Sequence, residues 1–320
     1  MALKFYSNND ISSLISVREN ETKLGEKLTF VSSVEELKSQ PSSFVILGIP
    51  ESVGAKANYG KAGAENAWST FLKSFANVQH NHFISTKNII LLGEFQFNFS
   101  QTDDVSELRK QVEQIDNDVY PIIKKIIEYK HTPIVIGGGH NNSYPLLKGV
   151  SLAKNKSISC LNIDPHADFR AMEGRHSGNG FSYAHNEKYL EKYAIFGLHE
   201  NYNSQFILDN LFQKNIAFSL FDEMLFNNSF EENLHRLLRS LDNEICLEID
   251  ADSIAFMPSS ALTPSGFSIE QIRKYIQSIC KEKRIYYLHI SEAAPTNNFD
   301  NLLAGKALSY LVTDFIKQSS

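Results

Sequence analysis

The residues best suited to chemistry are concentrated in one segment, Asp164-Pro165-His166-Ala167-Asp168, which follows an apolar, β-prone run over residues 157–163. Side chains at alternate positions of an extended chain share one face, so Asp164, His166 and Asp168 would project together. Two carboxylates this close repel each other and are costly to remove from water, and a divalent cation relieves both penalties. The alternative is a polar loop that carries incidental acids.

Composition excludes several classes of protein. Of the 320 residues, 42% are hydrophobic and 21% are charged, which is typical of a globular chain, and the net charge of −6 argues against a nucleic-acid-binding surface. No apolar run reaches the roughly 18 residues of a membrane span, and residues 1–20 contain no signal peptide. The three cysteines form no paired motif, which suits a reducing compartment. We therefore expect a cytoplasmic protein that binds a small molecule, with no nucleic acid or membrane partner.

Eight apolar segments predict β-strands, and they alternate with segments of helical periodicity. The predicted strands span residues 44–49, 89–92, 133–136, 157–163, 193–198, 216–220, 245–250 and 285–290. The predicted helices span residues 64–75, 105–129, 230–241, 269–280 and 302–316, and Pro121 is expected to kink or split the second of them. This alternation indicates a three-layer αβα fold around a mostly parallel eight-stranded sheet.

The domain organisation predicted from the sequence is simple. Residues 1–42 are polar and weakly patterned, and we expect them to form an N-terminal extension packed on the rest of the chain. Residues 43–320 contain no repeat, low-complexity tract or obvious linker, so they are predicted to form a single domain. Two domains joined near residues 200–215 are the alternative.

Polar clusters follow four of the predicted strands, which is where open parallel sheets bind ligands. Oxygen ligands combined with imidazoles suit divalent ions such as manganese, and this many ligands suit two ions rather than one. Four aspartates also balance the charge of two dications, and a two-ion site generates hydroxide near neutral pH. The candidate metal ligands are His140, Asp164, His166, Asp168, Asp250 and Asp252, and Glu292 follows the eighth strand.

In sequence order, Gly-Gly-x-His, Asp-x-His-x-Asp, Asp-x-Asp and a Glu near the last strand resemble the motifs of the ureohydrolase superfamily of arginases, agmatinases and formimidoylglutamases. The resemblance implies an arginase-like fold, a single ureohydrolase-like catalytic domain over residues 43–320, two Mn²⁺ ions and a homo-oligomer, either a trimer or a hexamer. It also implies that Asp164 and Asp250 bridge the ions. One ion would further contact His140 and Asp168, and the other His166 and Asp252.

Within the superfamily, the details resemble formimidoylglutamases. Asp168-Phe169-Arg170, the run 175–179 (Arg-His-Ser-Gly-Asn) and the segments 48–54 and 57–60 carry this resemblance. Arginases have Asp before the first metal-binding His, where this chain has Gly139, and a proton-shuttling His where it has Phe181. The Asp-Pro that usually follows the Asp-x-Asp pair is also missing. These departures favour N-formimino-L-glutamate over arginine as the substrate.

The resemblance thus implies a binuclear manganese hydrolase that acts on linear amidines. It would cleave N-formimino-L-glutamate to glutamate and formamide, in histidine catabolism, by attack of a metal-bridging hydroxide. An arginase, agmatinase or other guanidino-acid hydrolase that releases urea is the alternative enzyme. A metal-binding relative that has lost catalysis is the alternative from another class.

Roles for the remaining polar residues follow from the same resemblance. Arginine binds carboxylates bidentately, although Arg170 and Arg175 are equally suited to pairing with Glu173 or Asp168. Glu292 would face the cationic end of the substrate, or pair with a lysine. The candidate catalytic residues are Asp252, Glu292 and His166, and the candidate substrate-binding residues are Arg170, Arg175, Ser177 and Asn179. The candidate proton shuttles are His176, His185, His199 and His289.

Overall fold

A ten-stranded sheet forms the centre of the computed structural model, which describes residues 2–84 and 86–319. The strands are β1 (Ala2–Phe5), β2 (Thr29–Phe30), β3 (Phe44–Gly48), β4 (Ile89–Gln96), β5 (Thr132–Ile136), β6 (Ile158–Ile163), β7 (Leu190–Leu198), β8 (Ala217–Leu220), β9 (Glu244–Asp250) and β10 (Arg284–Ser291). Their order is β1-β4-β3-β5-β10-β9-β6-β7-β8, and β2 pairs with β4. Among the described strands, only the β1–β4 pair is antiparallel.

Helices cover both faces of this sheet. They are α1 (Asn8–Ser12), α2 (Val53–Ala57), α3 (Ala67–Ala76), α4 (Val105–Glu128), α5 (Ser143–Lys154), α6 (Gly180–Asn186), α7 (Gln205–Gln213), α8 (Phe221–Asn227), α9 (Phe230–Ser240), α10 (Ile269–Glu282) and α11 (Asn298–Ser319). Helix α4 remains one helix of 24 residues with Pro121 inside it, so the predicted split does not occur. Within the described residues, no helix is both long and apolar enough to span a bilayer.

The two faces of each central strand belong to separate hydrophobic cores. On β3, Ile46 packs in a core shared with α3, α9, α10 and α11, whereas Leu47 packs in a core shared with α4, α5 and α7. Burial on both faces explains why β3, β6 and β9 are apolar almost throughout rather than alternating. The three-layer αβα prediction is confirmed.

The strand count predicted from the sequence was too low. Eight strands were expected, and the sheet has ten among the described residues because β1 and β2 also join it. Both lie within residues 1–42 and pair with different halves of β4, at residues 93–96 and 90–91. Strands of two and four residues at a sheet edge have no long apolar run, so the pattern gave no signal for them. The predicted boundary at residue 42 stays a prediction.

Candidate metal centre

The predicted metal ligands and Glu292 meet because the four strands that carry them are neighbours. In the sheet, β5, β10, β9 and β6 lie side by side and parallel. His140 follows β5, the Asp164–Asp168 segment follows β6, Asp250 ends β9 and Glu292 follows β10. The carboxyl ends of these strands therefore bring the polar clusters to one edge of the sheet, as the strand assignment predicts.

The turn before His140 needs glycine. Gly137 and Gly138 have φ angles of +89° and +75°, in the left-handed region that other residues rarely adopt. A Cβ on Gly138 would lie 2.3 Å from the side chain of Asn142 and 2.9 Å from that of Glu51. The buried Glu51 carboxylate accepts hydrogen bonds from the backbone N–H of Gly139 at 2.9 Å and from the Asn142 amide at 2.7 Å. Glu51, at the tip of β3, thus holds the turn that presents His140.

The segment after β6 does not stay extended. The strand ends at Ile163, and Asp168 has a φ of +45°. The three side chains of the Asp-x-His-x-Asp motif converge through a turn rather than through strand alternation. A non-glycine residue in this backbone region is strained, and such strain is concentrated at functional sites.

A first ion position is centred on His140. Its Nδ1 lies 3.1 Å from Oδ2 of Asp164, 2.9 Å from Oδ2 of Asp168 and 3.0 Å from Oδ2 of Asp250. The same nitrogen is fully buried and makes no hydrogen bond of acceptable geometry. Ligand atoms at right angles around an ion, with bonds of about 2.1 Å, are about 3.0 Å apart. The four residues therefore have the spacing of ligands around one cation.

A second, wider position lies on the other side of Asp164. Nδ1 of His166 is 3.5 Å from Oδ1 of Asp164 and 3.8 Å from Oδ2 of Asp252. Oδ1 of Asp164 thus faces His166 while its Oδ2 faces His140. Oδ1 of Asp250 accepts a hydrogen bond of 2.7 Å from the backbone N–H of Asp252, which fixes the turn that follows β9. This arrangement is compatible with Asp164 and Asp250 between two ions.

The electrostatics of the cluster call for added positive charge. Burial raises the pKa of Asp250, and the adjacent Asp252 and Asp164 raise it further. Burial also raises the pKa of Asp168, again with help from Asp164. Burial lowers the pKa of His166, but contacts with Asp164 and other carboxylates outweigh it and raise the pKa to about 10. Asp168 and Asp250 thus need protons or cations nearby, and the donor set of carboxylates and imidazoles fits divalent manganese.

Glu292 occupies a constrained position beside this cluster. Its Oε1 accepts a 2.7 Å hydrogen bond from the backbone N–H of His140, whereas its buried Oε2 has no hydrogen-bond partner. Burial raises the pKa of Glu292 to about 8, and repulsion from Asp252 is the second-largest cause of this shift. Its φ of +59° is again in the left-handed region. A buried carboxylate oxygen without a donor is suited to a cationic ligand group.

Arg175 and Asn179 are engaged elsewhere. The Arg175 guanidinium is buried and donates to Asp116 at 2.9 Å, to Oδ1 of Asn179 at 2.8 Å and to the carbonyl of Asn141 at 2.8 Å. The Asn179 amide donates to the carbonyls of Ala171 and Gly174. Both side chains are buried and bonded to other protein groups, and the substrate-binding role predicted for them stays a prediction. Asp116, the main partner of Arg175, lies 59 residues away in α4 and gave no signal in the sequence.

Replacement of Arg175 by alanine is expected to destabilise the fold by about 3–5 kcal/mol, because it leaves the buried Asp116 without its partner. The measurement is the thermal unfolding midpoint, with Arg170→Ala as the control because that side chain is 45% exposed. An unchanged midpoint together with a raised KM would instead support the original substrate-binding role of Arg175.

Arg170 and Ser177, the other two predicted substrate-binding residues, have weaker protein contacts. Arg170 lines a cavity of about 340 Å³, together with Tyr202, Ser204, Phe206 and others, and Tyr202 stacks on His166 with 5.4 Å between ring centroids. Arg170 also lies 3.6 Å from Glu173, an exposed pair of the kind that contributes little to stability. Ser177 is buried, and its hydroxyl lies 3.4 Å from the amide of Asn58.

The four candidate proton shuttles differ in their surroundings. His176 accepts a hydrogen bond from the backbone N–H of Gly178, and burial with nearby arginines lowers its pKa to about 3. Burial also lowers the pKa of His185 and of His199. His289 contacts Glu248 at 2.6 Å. Phe181, where arginases carry their histidine, packs edge-on against His140 with 5.2 Å between the rings.

Three residues near the site were not predicted from the sequence: Glu51, Tyr202 and Glu248. A signal existed for Glu248, because it is a charged residue at the centre of an otherwise apolar strand. Glu51 stands directly after the Ile-Pro that closes β3, in a position equivalent to that of the other strand-end acids. Tyr202 follows a strand at the site but belongs to a loop of ordinary composition, which gave no signal.

Comparison with known proteins agrees with this geometry. The pattern of the Arginase family matches residues 42–315. A formimidoylglutamase of Macrococcus caseolyticus is 27% identical over 264 residues, which cover 81% of this chain and 80% of that protein.

Solved structures have the same fold. The formimidoylglutamase of Bacillus subtilis superimposes with a TM-score of 0.77 at 18% identity, over 95% of this chain and 93% of that one. The formiminoglutamase of Trypanosoma cruzi, crystallised with Mn²⁺, superimposes with a TM-score of 0.74 at 18% identity, over 93% and 98% of the two chains. The arginase-like fold predicted from the sequence is thus confirmed.

Proposed function

The chain belongs to the Arginase family, and on this premise we propose that it hydrolyses N-formimino-L-glutamate to glutamate and formamide, in histidine catabolism. The observation that carries the proposal is the gathering of His140 with three aspartates at 2.9–3.1 Å. The relatives and solved structures named above as formimidoylglutamases support the choice of substrate.

We propose that the six predicted ligands hold two Mn²⁺ ions. Asp164 and Asp250 would lie between the ions, with His140 and Asp168 on one side and His166 and Asp252 on the other. Such ions, when bound, lower the pKa of water enough to make a nucleophile available near neutral pH. The residues of the chain would then supply the binding of the amidine and the transfer of the proton.

Glu292 would bind the amidinium end of the substrate. Its unpartnered Oε2 accepts hydrogen bonds from the nitrogens of the amidine, while the His140 backbone N–H fixes its Oε1. This contact orients the formimino carbon toward the ligand cluster, at the tips of β5 and β10. A hydrogen bond to a buried carboxylate is strong, because no water competes with the ligand for the carboxylate oxygen.

Asp252 would transfer the proton. Hydrolysis forms a bond from the water oxygen to the formimino carbon, breaks the bond from that carbon to the glutamate nitrogen and moves a proton to this nitrogen. Oδ2 of Asp252 faces His166 at 3.8 Å and is within 3.3 Å of the hydroxyl of Ser260. A carboxylate with a raised pKa is suited to take up a proton from water and release it to an amine.

Arg170 would recognise a carboxylate of the substrate. The cavity of about 340 Å³ that it lines adjoins His166 through Tyr202, so a glutamate chain extending from the metal centre would enter it. Ser177, on the neighbouring loop, is the second polar group proposed to contact the substrate.

Replacement of Arg170 by alanine is expected to raise KM by about 10- to 100-fold, the loss of a hydrogen bond to a charged group worth about 1.5–3 kcal/mol. Steady-state kinetics with N-formimino-L-glutamate measure the effect. Arg284→Ala is the matched control, because Arg284 begins β10 and pairs with Glu244 at the strand end away from the metal centre. An unchanged KM in Arg170→Ala, as in the control, would mean that Arg170 serves only its pair with Glu173.

A substrate panel tests the proposal. Manganese-loaded protein is incubated with N-formimino-L-glutamate, arginine, agmatine and other guanidino acids, and formamide and urea are both measured. We expect formamide from the first substrate and no urea. Urea release would show an amidinohydrolase of another specificity, and inertness toward every substrate would favour a metal-binding relative without catalysis.

Cellular location and assembly stay predictions. The three cysteines are free, and Cys160 and Cys246 are buried, which fits the reducing cytoplasm that we propose. We also propose the trimer or hexamer implied by the family resemblance. Size-exclusion chromatography with light scattering distinguishes these assemblies from a monomer.

A further inference from the structure

One buried acid beneath the metal centre has no role in the proposed reaction. Glu248 lies in β9, two residues before Asp250 and on the same face of the strand, and its side chain is fully buried. An ionised carboxylate is costly to bury unless hydrogen-bond donors surround it. The identity of those donors indicates what the residue does.

The donors come from the neighbouring strand β10. Tyr287 donates its hydroxyl to Oε1 of Glu248 at 2.5 Å, and Nδ1 of His289, directly opposite in the register, lies 2.6 Å from Oε2. A separation of 2.6 Å is that of a hydrogen bond, shorter than the roughly 3.0 Å between neighbouring ligands of one ion. The group formed by His140, Glu248 and His289 is therefore a hydrogen-bonded layer and not a further metal site.

Oε2 of Glu248 also faces His140. It lies 3.5 Å from Nε2 of that imidazole, which is buried and has no hydrogen-bond partner, so this carboxylate oxygen is the acceptor that faces it. On the opposite edge of the ring, Nδ1 faces Asp164, Asp168 and Asp250. An imidazole that binds a cation through Nδ1 must carry its proton on Nε2, and an outer carboxylate beside that nitrogen fixes both the proton and the orientation of the ring.

We propose that Glu248 is a positioning residue, which holds His140 with Nδ1 free for an ion and so controls the ion position formed by His140, Asp164, Asp168 and Asp250. This inference rests on the proposed two-ion function. Because Glu248 faces His140 and not His166, its influence is confined to one of the two positions. Tyr287 and His289 support it by holding the carboxylate in place.

Glutamine cannot replace Glu248 in this role. Tyr287, His289 and His140 require acceptors, and an ionised carboxylate offers acceptors on both oxygens. A glutamine amide of the same shape offers only one oxygen and turns an N–H group toward the other donors. One histidine then has to change its tautomer or rotate.

The test measures Mn²⁺ binding and the electron paramagnetic resonance spectrum of wild type and Glu248→Gln protein. We expect one of the two ions to bind about 10- to 100-fold more weakly in the variant. At intermediate Mn²⁺, the spin-coupled signal of an ion pair should give way to the hyperfine pattern of an isolated ion. A residue with only a structural role would weaken both ions together or neither.

Glu244→Gln is the matched control. Glu244 begins the same strand β9 and accepts a 2.6 Å hydrogen bond from Tyr286 of β10, so it repeats the glutamate–tyrosine pair at the strand end away from the metal centre. The Glu244→Gln variant should bind both ions as the wild type protein does. If Glu248→Gln does not fold, Tyr287→Phe takes its place, with the same ion weakened by about 2- to 10-fold.

The outcomes separate the two hypotheses. A wild type protein that binds no Mn²⁺ overturns the proposed function as well as this inference. A wild type protein with two ions and a Glu248→Gln or Tyr287→Phe variant that retains both with unchanged affinity and an unchanged spectrum overturns only the role of Glu248. Selective loss of one ion supports it.

Discussion

The Asp250→Asn variant is expected to lose hydrolysis by about three orders of magnitude or more, because we propose that Asp250 is shared by two ions, and such a ligand supplies several kcal/mol to the reaction. Oδ2 of Asp250 lies 3.0 Å from Nδ1 of His140, and its Oδ1 accepts a hydrogen bond from the backbone N–H of Asp252. Asparagine keeps the shape but lacks the charge and the second anionic oxygen. Bound Mn²⁺ should fall below two ions per chain.

Asp242→Asn is the control for this variant. Asp242 lies just before β9 and pairs with Lys192 near the surface, at the opposite end of the strand from the metal centre. It should retain activity and metal. Full activity and two ions per chain in Asp250→Asn, measured by steady-state kinetics and elemental analysis, would contradict the assignment of the ligands.

The Glu292→Gln variant is expected to lose about 10²- to 10³-fold in kcat/KM while it keeps its metal. Removing one preorganised charged contact to the reacting group costs about 3–4 kcal/mol. Glutamine retains an oxygen for the His140 backbone N–H, so the turn that carries His140 should stay in place. The effect therefore separates substrate binding from metal binding.

Metal content decides how the Glu292 result is interpreted. Glu282→Gln, at the end of α10 where the side chain pairs with His235, should leave both activity and metal unchanged. If Glu292→Gln instead loses Mn²⁺ in proportion to its activity, Glu292 maintains the metal site and does not bind the amidine. If activity is unchanged, the amidine is bound elsewhere.

The sequence was most informative where apolar runs and acids occur together. Burial on both faces makes the central strands continuous apolar runs, so the position of Asp164 and of Asp250 at strand ends could be predicted without coordinates. The order of strands brought these ends together, which follows from parallel topology. The local backbone geometry could not be predicted from the sequence, because the left-handed conformation of Asp168 is fixed by the loop as a whole.

Side-chain partners from distant segments could not be predicted. Arg175 and Arg170 stand in one loop with similar neighbours, yet one is buried against Asp116 of α4 and the other lines a cavity. Only the packing of α4 on that loop distinguishes them. The short edge strands β1 and β2 were not predicted for a related reason. Their stability comes from pairing with β4 rather than from their own residues.

We propose that six side chains at the ends of three strands hold a pair of divalent ions. Crystals of the protein soaked in Mn²⁺ and measured by anomalous X-ray scattering would locate those ions. We expect two manganese peaks, one beside His140 and Asp168 and one beside His166 and Asp252, with Asp164 and Asp250 between them. No peak among these residues, or a single peak at saturating Mn²⁺, would rule out the two-ion site.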